Sequence, residues 1–324
     1  SYNNSQIKEH LYYSALHFNG VAPVNGQVHE LSTNINKMVS STTLNYNKTI
    51  SQHSIGVLAG YEAEKNLTDF LRSSGNNLPS SSLPTVVTAG TTNASAYNWG
   101  YNMQSFLSRA EYNFSEKYFL SASYRRDGNS RFGPVNRWAN FWSVGGAWNI
   151  FKEDFLKENE LLNELRIRGS YGTNATTPSV NYGWRTLLSF TDKYMEQPGG
   201  SIVSIADSGL AWETNYNTNL AIEFGLLERR VTGSIEYFNR DSRSLLMDVP
   251  ISMVTGLSST MTNVGEINNR GIEWNLGVDI VRKELLKWSV GLNGTIMNSK
   301  VTKLNRQGGA SVGQDIIWND PTGN

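Results

Sequence analysis

From Ser121 to Ile150 the chain reads SASYRRDGNSRFGPVNRWANFWSVGGAWNI, two stretches of alternating polarity joined by a charged, glycine-containing loop. A period of two sends successive side chains to opposite faces of a strand. Over Lys117 to Asp127, Tyr118, Leu120, Ala122 and Tyr124 share one face, and Phe119, Ser121, Ser123, Arg125 and Asp127 share the other. On the return, Trp142, Val144, Gly146, Trp148 and Ile150 oppose Phe141, Ser143, Gly145, Ala147 and Asn149. One face suits an apolar medium and the other suits water, so the pattern predicts an antiparallel hairpin.

The same pattern recurs. Strands are expected at His10 to Asn19, Ile35 to Thr49, Ser54 to Lys65, Tyr101 to Phe114, Lys117 to Asp127 and Trp138 to Ile150. Further ones are expected at Glu164 to Asn174, Trp212 to Leu227, Arg230 to Ser242, Asn263 to Arg282 and Lys287 to Thr302. Their length, roughly 10 to 18 residues where an ordinary soluble strand has about 5 or 6, is itself a membrane-barrel signal. Charges fall in mid-strand on the polar faces, as at Arg166 and Arg168 opposite Leu165, Ile167 and Gly169. A β-sandwich would turn that face to bulk solvent and a large barrel would turn it to a wet lumen; alternation alone leaves both open.

Connection lengths favour the barrel. Short turns at Ile50 to His53, Ser115 to Glu116, Glu228 to Arg229 and Lys283 to Leu286 alternate with long polar connections at Gly20 to Asn34, Asn66 to Gly100, Gly128 to Arg137, Ala175 to Ala211 and Arg243 to Thr262, and with the tail from Lys303. Short periplasmic turns and long extracellular loops are the asymmetry of an outer-membrane barrel. Phe114, Tyr118, Trp148, Phe151 and Trp288 cluster at the short-turn ends, where an interfacial girdle belongs. Phe151 to Asn163, with Phe151, Phe155 and Leu162 among acids and lysines, reads as a short amphipathic periplasmic helix. The fold class expected is therefore all-β: a transmembrane up-and-down antiparallel barrel, with no domain boundary from 1 to 324.

Composition narrows the partners. The 324 residues carry Lys+Arg 28 against Asp+Glu 28, with no basic stripe, which argues against nucleic acid. Cysteine is absent, excluding a disulfide framework, thiolate metal ligands and a cysteine nucleophile. No apolar run of about 18 residues exists, so no transmembrane helix is expected, a statement that leaves barrels untouched. The opening SYNNSQIKEH has no basic and apolar leader pattern, so the chain reads as mature or internal.

Taken as an ordered set, YRRDGNSRFG, RWANFWSVGGAWNI, LRIRGSYGTN, WETNYNTNLAIEFGLLERRVTGSIEYFNRDSRSLL and NVGEINNRGIEWNLG resemble the barrel of a TonB-dependent outer-membrane transporter of the SusC/RagA-like type. The resemblance is collinear from about Tyr101 to Thr302; upstream only the hairpin pattern matches. It implies a 22-stranded barrel with an N-terminal plug, a TonB box on the periplasmic side, and a SusD-like surface lipoprotein as lid. It also implies import of a glycan or peptide, energised by the TonB complex acting through the plug, and dimers of transporter and lid pairs. About half of such a barrel is covered, with plug and C-terminal strands lying outside the chain, and an open edge in lipid leaves backbone groups unsatisfied. The chain thus reads as part of a longer one. Other readings are a lidless TonB-dependent receptor for a metal chelate or vitamin, a non-transporting surface or adhesion protein on the same barrel, and a soluble sandwich.

No GxSxG, HExxH or GxxxxGK[ST] pattern occurs and no carboxylate pair is marked as acid and base, so no catalytic residue and no cofactor is expected. His10, His17, His29 and His53 lack metal-ligand spacing, and Asn319, Asp320, Thr322 and Asn324 make only half of a calcium loop, so no metal site is expected. Arg125, Arg126, Asp127 and Arg131 could grip a carboxylate, although a self-compensating loop suits them better. By alternation Arg109, Glu111, Arg166, Arg168, Glu236 and Glu273 face the lumen. Tyr97, Trp99, Tyr101, Tyr182, Trp184 and Tyr194, in or beside long connections, are the candidates for stacking on sugars or gripping peptide side chains, with girdle or loop packing as the alternative role.

Overall fold

A computed structural model describes residues 1–19, 25–156, 159, 161–191, 193–195 and 197–303. Eleven long strands make up the wall. They are β1 (Tyr2–Tyr13), β2 (Gln27–Ile50), β3 (His53–Asn76), β4 (Thr91–Phe114), β5 (Tyr118–Asn129), β6 (Trp138–Asn149), β7 (Leu162–Thr176), β8 (Glu213–Leu226), β9 (Val231–Arg243), β10 (Glu266–Lys283) and β11 (Leu286–Lys303). They hydrogen-bond in chain order without a crossover, as an up-and-down sheet. Short two-stranded ribbons ornament the connections, one pairing 246–250 with 259–263.

The strands outrun the sequence expectation. β2, β3 and β4 are 24 residues each, about 80 Å of extended chain, far more than a tilted strand needs to cross a bilayer. Gly20 to Asn34 and Asn66 to Gly100 were expected to be loops; β2 instead begins at Gln27, β3 runs to Asn76 and β4 starts at Thr91. The expected first strand is likewise shifted toward the N-terminus, ending at Tyr13. Phe151 to Asn163 contains no α-helix among its described residues: Ile150–Lys152 and Asp154–Leu156 are single 3₁₀ turns. Glu153 lies between them, and its bonds back to the strand ends hold the segment in place of an apolar face.

The chain divides into two compact units. The first holds β1 to β4 down to Tyr112, together with Ala122–Phe141 and Ser179–Tyr182. Its register is unbroken from Gln27↔Asn76 to Ile50↔His53, so one parity of side chains keeps one face throughout. The second holds Asn113–Ser121, Trp142–Pro178 and everything from Gly183 on. There β7, β8, β9, β10 and β11 pair in succession, with a bulge in β10 between Asp279 and Val281. Gly172 in β7 lies opposite Ser143, so close that an added Cβ would stand 2.5 Å from the serine Cβ and 2.9 Å from the Trp142 carbonyl oxygen.

Candidate functional site

The two faces of the wall differ in the way a lipid boundary and a wet interior require. In the second unit the outward rows carry Leu220, Ile222, Ile235, Tyr237, Ile272, Trp274, Leu292 and Ile296, all exposed large apolar side chains. On β6 the outward Trp148 shares the row of Ile167 and Ile222, and Trp142, further along the same outward face, packs edge-on against Tyr171 with ring centroids 5.5 Å apart. On β11 the outward run from Trp288 to Ile296 gives way to Asn298, some ten residues from Trp288. That is about 33 Å of strand, or about 25 Å of height at a tilt of about 40°, the apolar band of an outer-membrane barrel.

At the short-turn end the aromatic tips are tied down. Tyr118, stacked between Phe114 at 6.3 Å and Trp148 at 6.3 Å, donates its hydroxyl to Glu153 at 2.6 Å. Lys117 Nζ at 2.9 Å and the Trp148 indole at 3.0 Å donate to the same carboxylate. The three donors hold the Glu153 carboxyl down at about 2, with the Tyr118 hydroxyl making the largest contribution. Across the turn, Lys152 pairs with Glu116 and lowers that carboxyl too. The rings keep an apolar body in the interface and a bonded polar end toward water.

The inward face of the second unit is an ion-pair network. Arg168 lies beside Ala221 and, one strand further, Glu236, because β7, β8 and β9 set these three in one row. Its guanidinium donates from Nε to Glu223 at 2.8 Å and from Nη2 to Glu236 at 2.5 Å. Arg166 stands 3.9 Å from Glu223 and over the Phe119 ring at 5.4 Å. Glu236 faces Glu273 directly across β9 and β10, so one arginine serves a row with two acids. Sequence alternation therefore places Arg166, Arg168, Glu236 and Glu273 on one face, and the structure draws the first three together with Glu223, a residue the sequence reading did not single out.

The first unit holds the other lumen candidates and an aromatic ladder. Arg109 and Glu111, two apart on β4, pair with one another and remain more than half exposed. Higher on the same face Arg125 donates to Asp127 at 2.7 Å and to the Ser105 hydroxyl at 2.9 Å, the compensated arrangement expected of that cluster. Above it Tyr101 donates its hydroxyl to Glu64 at 2.6 Å while Lys37 reaches the same carboxylate at 2.9 Å. The Arg131 guanidinium lies 4.0 Å over the Tyr101 ring and donates from Nε to Asn181 at 2.8 Å.

Beyond Tyr101 come Trp99 and Tyr97, centroids 5.4 Å apart, with Phe70 at 5.0 Å from Tyr97 and 6.5 Å from Trp99. These three candidates were expected in or beside a loop; they occupy β4, on the inward face, because the ladder hydrogen bonding continues past the level where the outward apolar band stops. Tyr101 is occupied as a brace, whereas Tyr97 is 57% exposed and open to the interior. Phe70 lies between Asn66 and Gly100, where the polar composition predicts a loop.

The remaining candidates lie in the connection between β7 and β8. Tyr182 is exposed with a backbone φ of 62°, Trp184 carries the Arg185 guanidinium 4.3 Å over its ring, and Tyr194 belongs to the ribbon pairing 193–194 with 197–198. The histidines bond to neighbours rather than to each other, His10 with Glu30 at 2.6 Å and His29 with Arg72 at 3.2 Å. Among the described residues no grouping could hold a metal, and Asn319, Asp320, Thr322 and Asn324 lie outside the described residues.

An apolar belt on one face, a charge-lined opposite face and antiparallel strands joined in chain order define the wall of an outer-membrane β-barrel. A family model described as TonB dependent receptor-like, beta-barrel, matches residues 1–317, and the chain belongs to that family. TonB-dependent receptor P39 of Formosa agariphila is 29% identical over 285 residues, covering 84% of this chain and 27% of the relative. TonB-dependent receptor SusC of Bacteroides thetaiotaomicron is 29% identical over 217 residues, covering 64% of this chain and 22% of the relative. The solved RagAB peptide transporter superposes with a TM-score of 0.85 at 25% identity, covering 94% of this chain and 34% of that one. The chain thus spans about a quarter to a third of the length of these relatives, and the SusC/RagA-like resemblance read from the ordered motifs is met by both.

Proposed function

We propose that this wall belongs to a TonB-dependent importer that carries a nutrient oligomer, a glycan or a peptide, across the outer membrane. The observation that carries the reading is the inward face: Arg168, Glu223, Glu236 and Glu273 line it at the depth of the outward apolar belt, which requires water or polar protein inside the wall. The proposed domain arrangement is a single barrel to which residues 1–324 contribute strands, with plug and further strands supplied by the rest of the protein. The proposed partners are a SusD-like lipoprotein on the extracellular side and the TonB complex on the periplasmic side, and transporter and lid pairs would associate as dimers.

In this reading Tyr97 and Trp99 offer ring faces to the passing solute, and Tyr182, Trp184 and Tyr194 belong to the extracellular connections around it. The test is extraction of the full-length protein from native outer membranes in mild detergent, with mass spectrometry of whatever stays bound. A stoichiometric lipoprotein and a retained oligomer are expected. Recovery of the barrel alone, under conditions that preserve other complexes, would overturn the lidded importer in favour of a lidless receptor.

A further inference from the structure

Across β8 to β11 the outward face of the second unit changes character within one row. Tyr237, Ile272 and Ile296 lie side by side across β9, β10 and β11 and close the apolar belt. The next outward row reads Thr218, Asn239, Arg270 and Asn298, and the one above it Tyr216, Asp241, Asn268 and Lys300. With Trp288 marking the periplasmic edge, Asn298 and Arg270 stand about 25 Å higher, at the depth of the outer-leaflet headgroups.

The charges in these rows are unevenly compensated. Arg243, further up β9, is held by Asp241 at 2.7 Å and lies 4.8 Å over the Tyr216 ring; Lys303 is 3.7 Å from Glu266. Asn268 donates to Asn239 at 2.9 Å. Arg270 and Lys300 are exposed, and among the described residues neither has an ion pair or a side-chain hydrogen bond. Since Arg270 faces Asn298, Lys300 is its diagonal neighbour across the strand pair, about 7–8 Å away by backbone spacing. Two free cations that close, pointing outward, with amides beside them and hydrocarbon directly below, can share one tetrahedral anion held at headgroup depth.

We propose that Arg270 and Lys300 form a binding site for the phosphate of an outer-leaflet lipid. Arginine offers a planar fork to two phosphate oxygens, lysine adds a point charge, and Asn298 supplies a donor amide beside them. Basic side chains just beyond a membrane-spanning segment attract anionic headgroups in this way. The site faces lipid, so its existence is independent of which solute crosses the interior.

The experiment uses the full-length protein, purified in mild detergent and titrated by native mass spectrometry with bisphosphorylated lipid A, the same glycolipid with its phosphates removed, phosphatidylglycerol and inorganic phosphate. The Arg270→Gln/Lys300→Gln double variant is expected to bind the phosphorylated glycolipid about 30-fold more weakly while the dephosphorylated lipid is unaffected. Arg270→Lys, which keeps the charge and loses the fork, should fall between wild type and the double variant, and heat-modifiable electrophoretic mobility checks that each variant remains a folded barrel. Comparing lipid A with phosphatidylglycerol identifies which phosphate-bearing lipid is held, and either one lost by the variant supports the site. Unchanged affinity in the folded double variant, equal loss for the dephosphorylated lipid, or inorganic phosphate binding as tightly as the lipids would overturn it.

Discussion

Arg168 is the hinge of the inward network, and its removal has a magnitude that can be worked out. It makes two charge-assisted hydrogen bonds, at 2.8 Å to Glu223 and 2.5 Å to Glu236, with side-chain exposures of 37%, 27% and 25%. Fully exposed pairs are worth about 0.2–1 kcal/mol and buried charged hydrogen bonds about 1.5–3 kcal/mol. At about one third exposure, water screens each bond to about 1 kcal/mol, so Arg168→Met costs about 2 kcal/mol. It also exposes the repulsion between Glu236 and Glu273, which face each other directly. For carboxylates about 5 Å apart in a water-filled lumen this is 332/(80 × 5), about 0.8 kcal/mol.

A cycle of Arg168→Met, Glu236→Gln and the double variant should therefore give a coupling of about 1 kcal/mol. Glu273→Gln should return about 0.8 kcal/mol in the Arg168→Met background and little in the wild type. The assay is urea unfolding of the full-length protein in micelles, followed by tryptophan fluorescence. If the single effects add to within about 0.3 kcal/mol, the guanidinium does not couple these strands and the reasoning fails.

Glu153 should give acid sensitivity of a definite sign. Its folded value of about 2 lies below the ordinary 4.5, so its contribution is complete above about pH 4.5 and is lost as pH falls toward 2. Glu153→Gln should flatten the unfolding midpoint between about pH 5 and pH 3, and an unchanged slope would remove this residue from the account. Gly172→Ala should destabilise by about 1–3 kcal/mol through its collision with Ser143, whereas Gly291→Ala, with nothing within 4 Å, should shift the urea midpoint by under about 0.5 kcal/mol. On the ladder, Tyr97→Ala should reduce uptake of a labelled substrate oligomer at unchanged stability. Tyr101→Phe, which leaves Glu64 with one donor fewer, should cost about 1 kcal/mol with uptake little altered; the reverse pairing of effects would exchange their roles.

The sequence made the intramembrane wall legible because there the two faces meet different solvents. Leu220, Ile222, Arg168 and Glu236 obey one parity rule, and reading it yields both strand positions and lumen-facing candidates. The strand extensions were hidden by the same rule. Above Met38 in β2 the outward positions become Asn36, Asn34, Ser32 and Glu30, while apolar residues such as Leu31 and Ile35 move to the inward parity. The alternation persists but changes sign, and a stretch rich in Asn, Ser and Thr then looks like a loop. The 3₁₀ turns after β6 were missed for another reason: Phe151, Phe155 and Leu162 have helical spacing, but Glu153 fixes the segment through Lys117, Tyr118 and Trp148, contacts that no local pattern records.

That change of sign along unbroken strands fixes how deep the wall can sit. Sliding β2 and β3 inward by one pair of residues would carry Asn36 and then Asn34 with Asp69 toward hydrocarbon, at about 1–3 kcal/mol for each polar group deprived of water. Sliding outward would strip lipid from Leu44, Tyr46, Val57 and Tyr61 at about 25 cal/mol for each Å² exposed. Each strand thus carries its own waterline, and the interior rings of Phe70, Tyr97 and Trp99 are held above it at a constant height whatever the loops at the summit are doing.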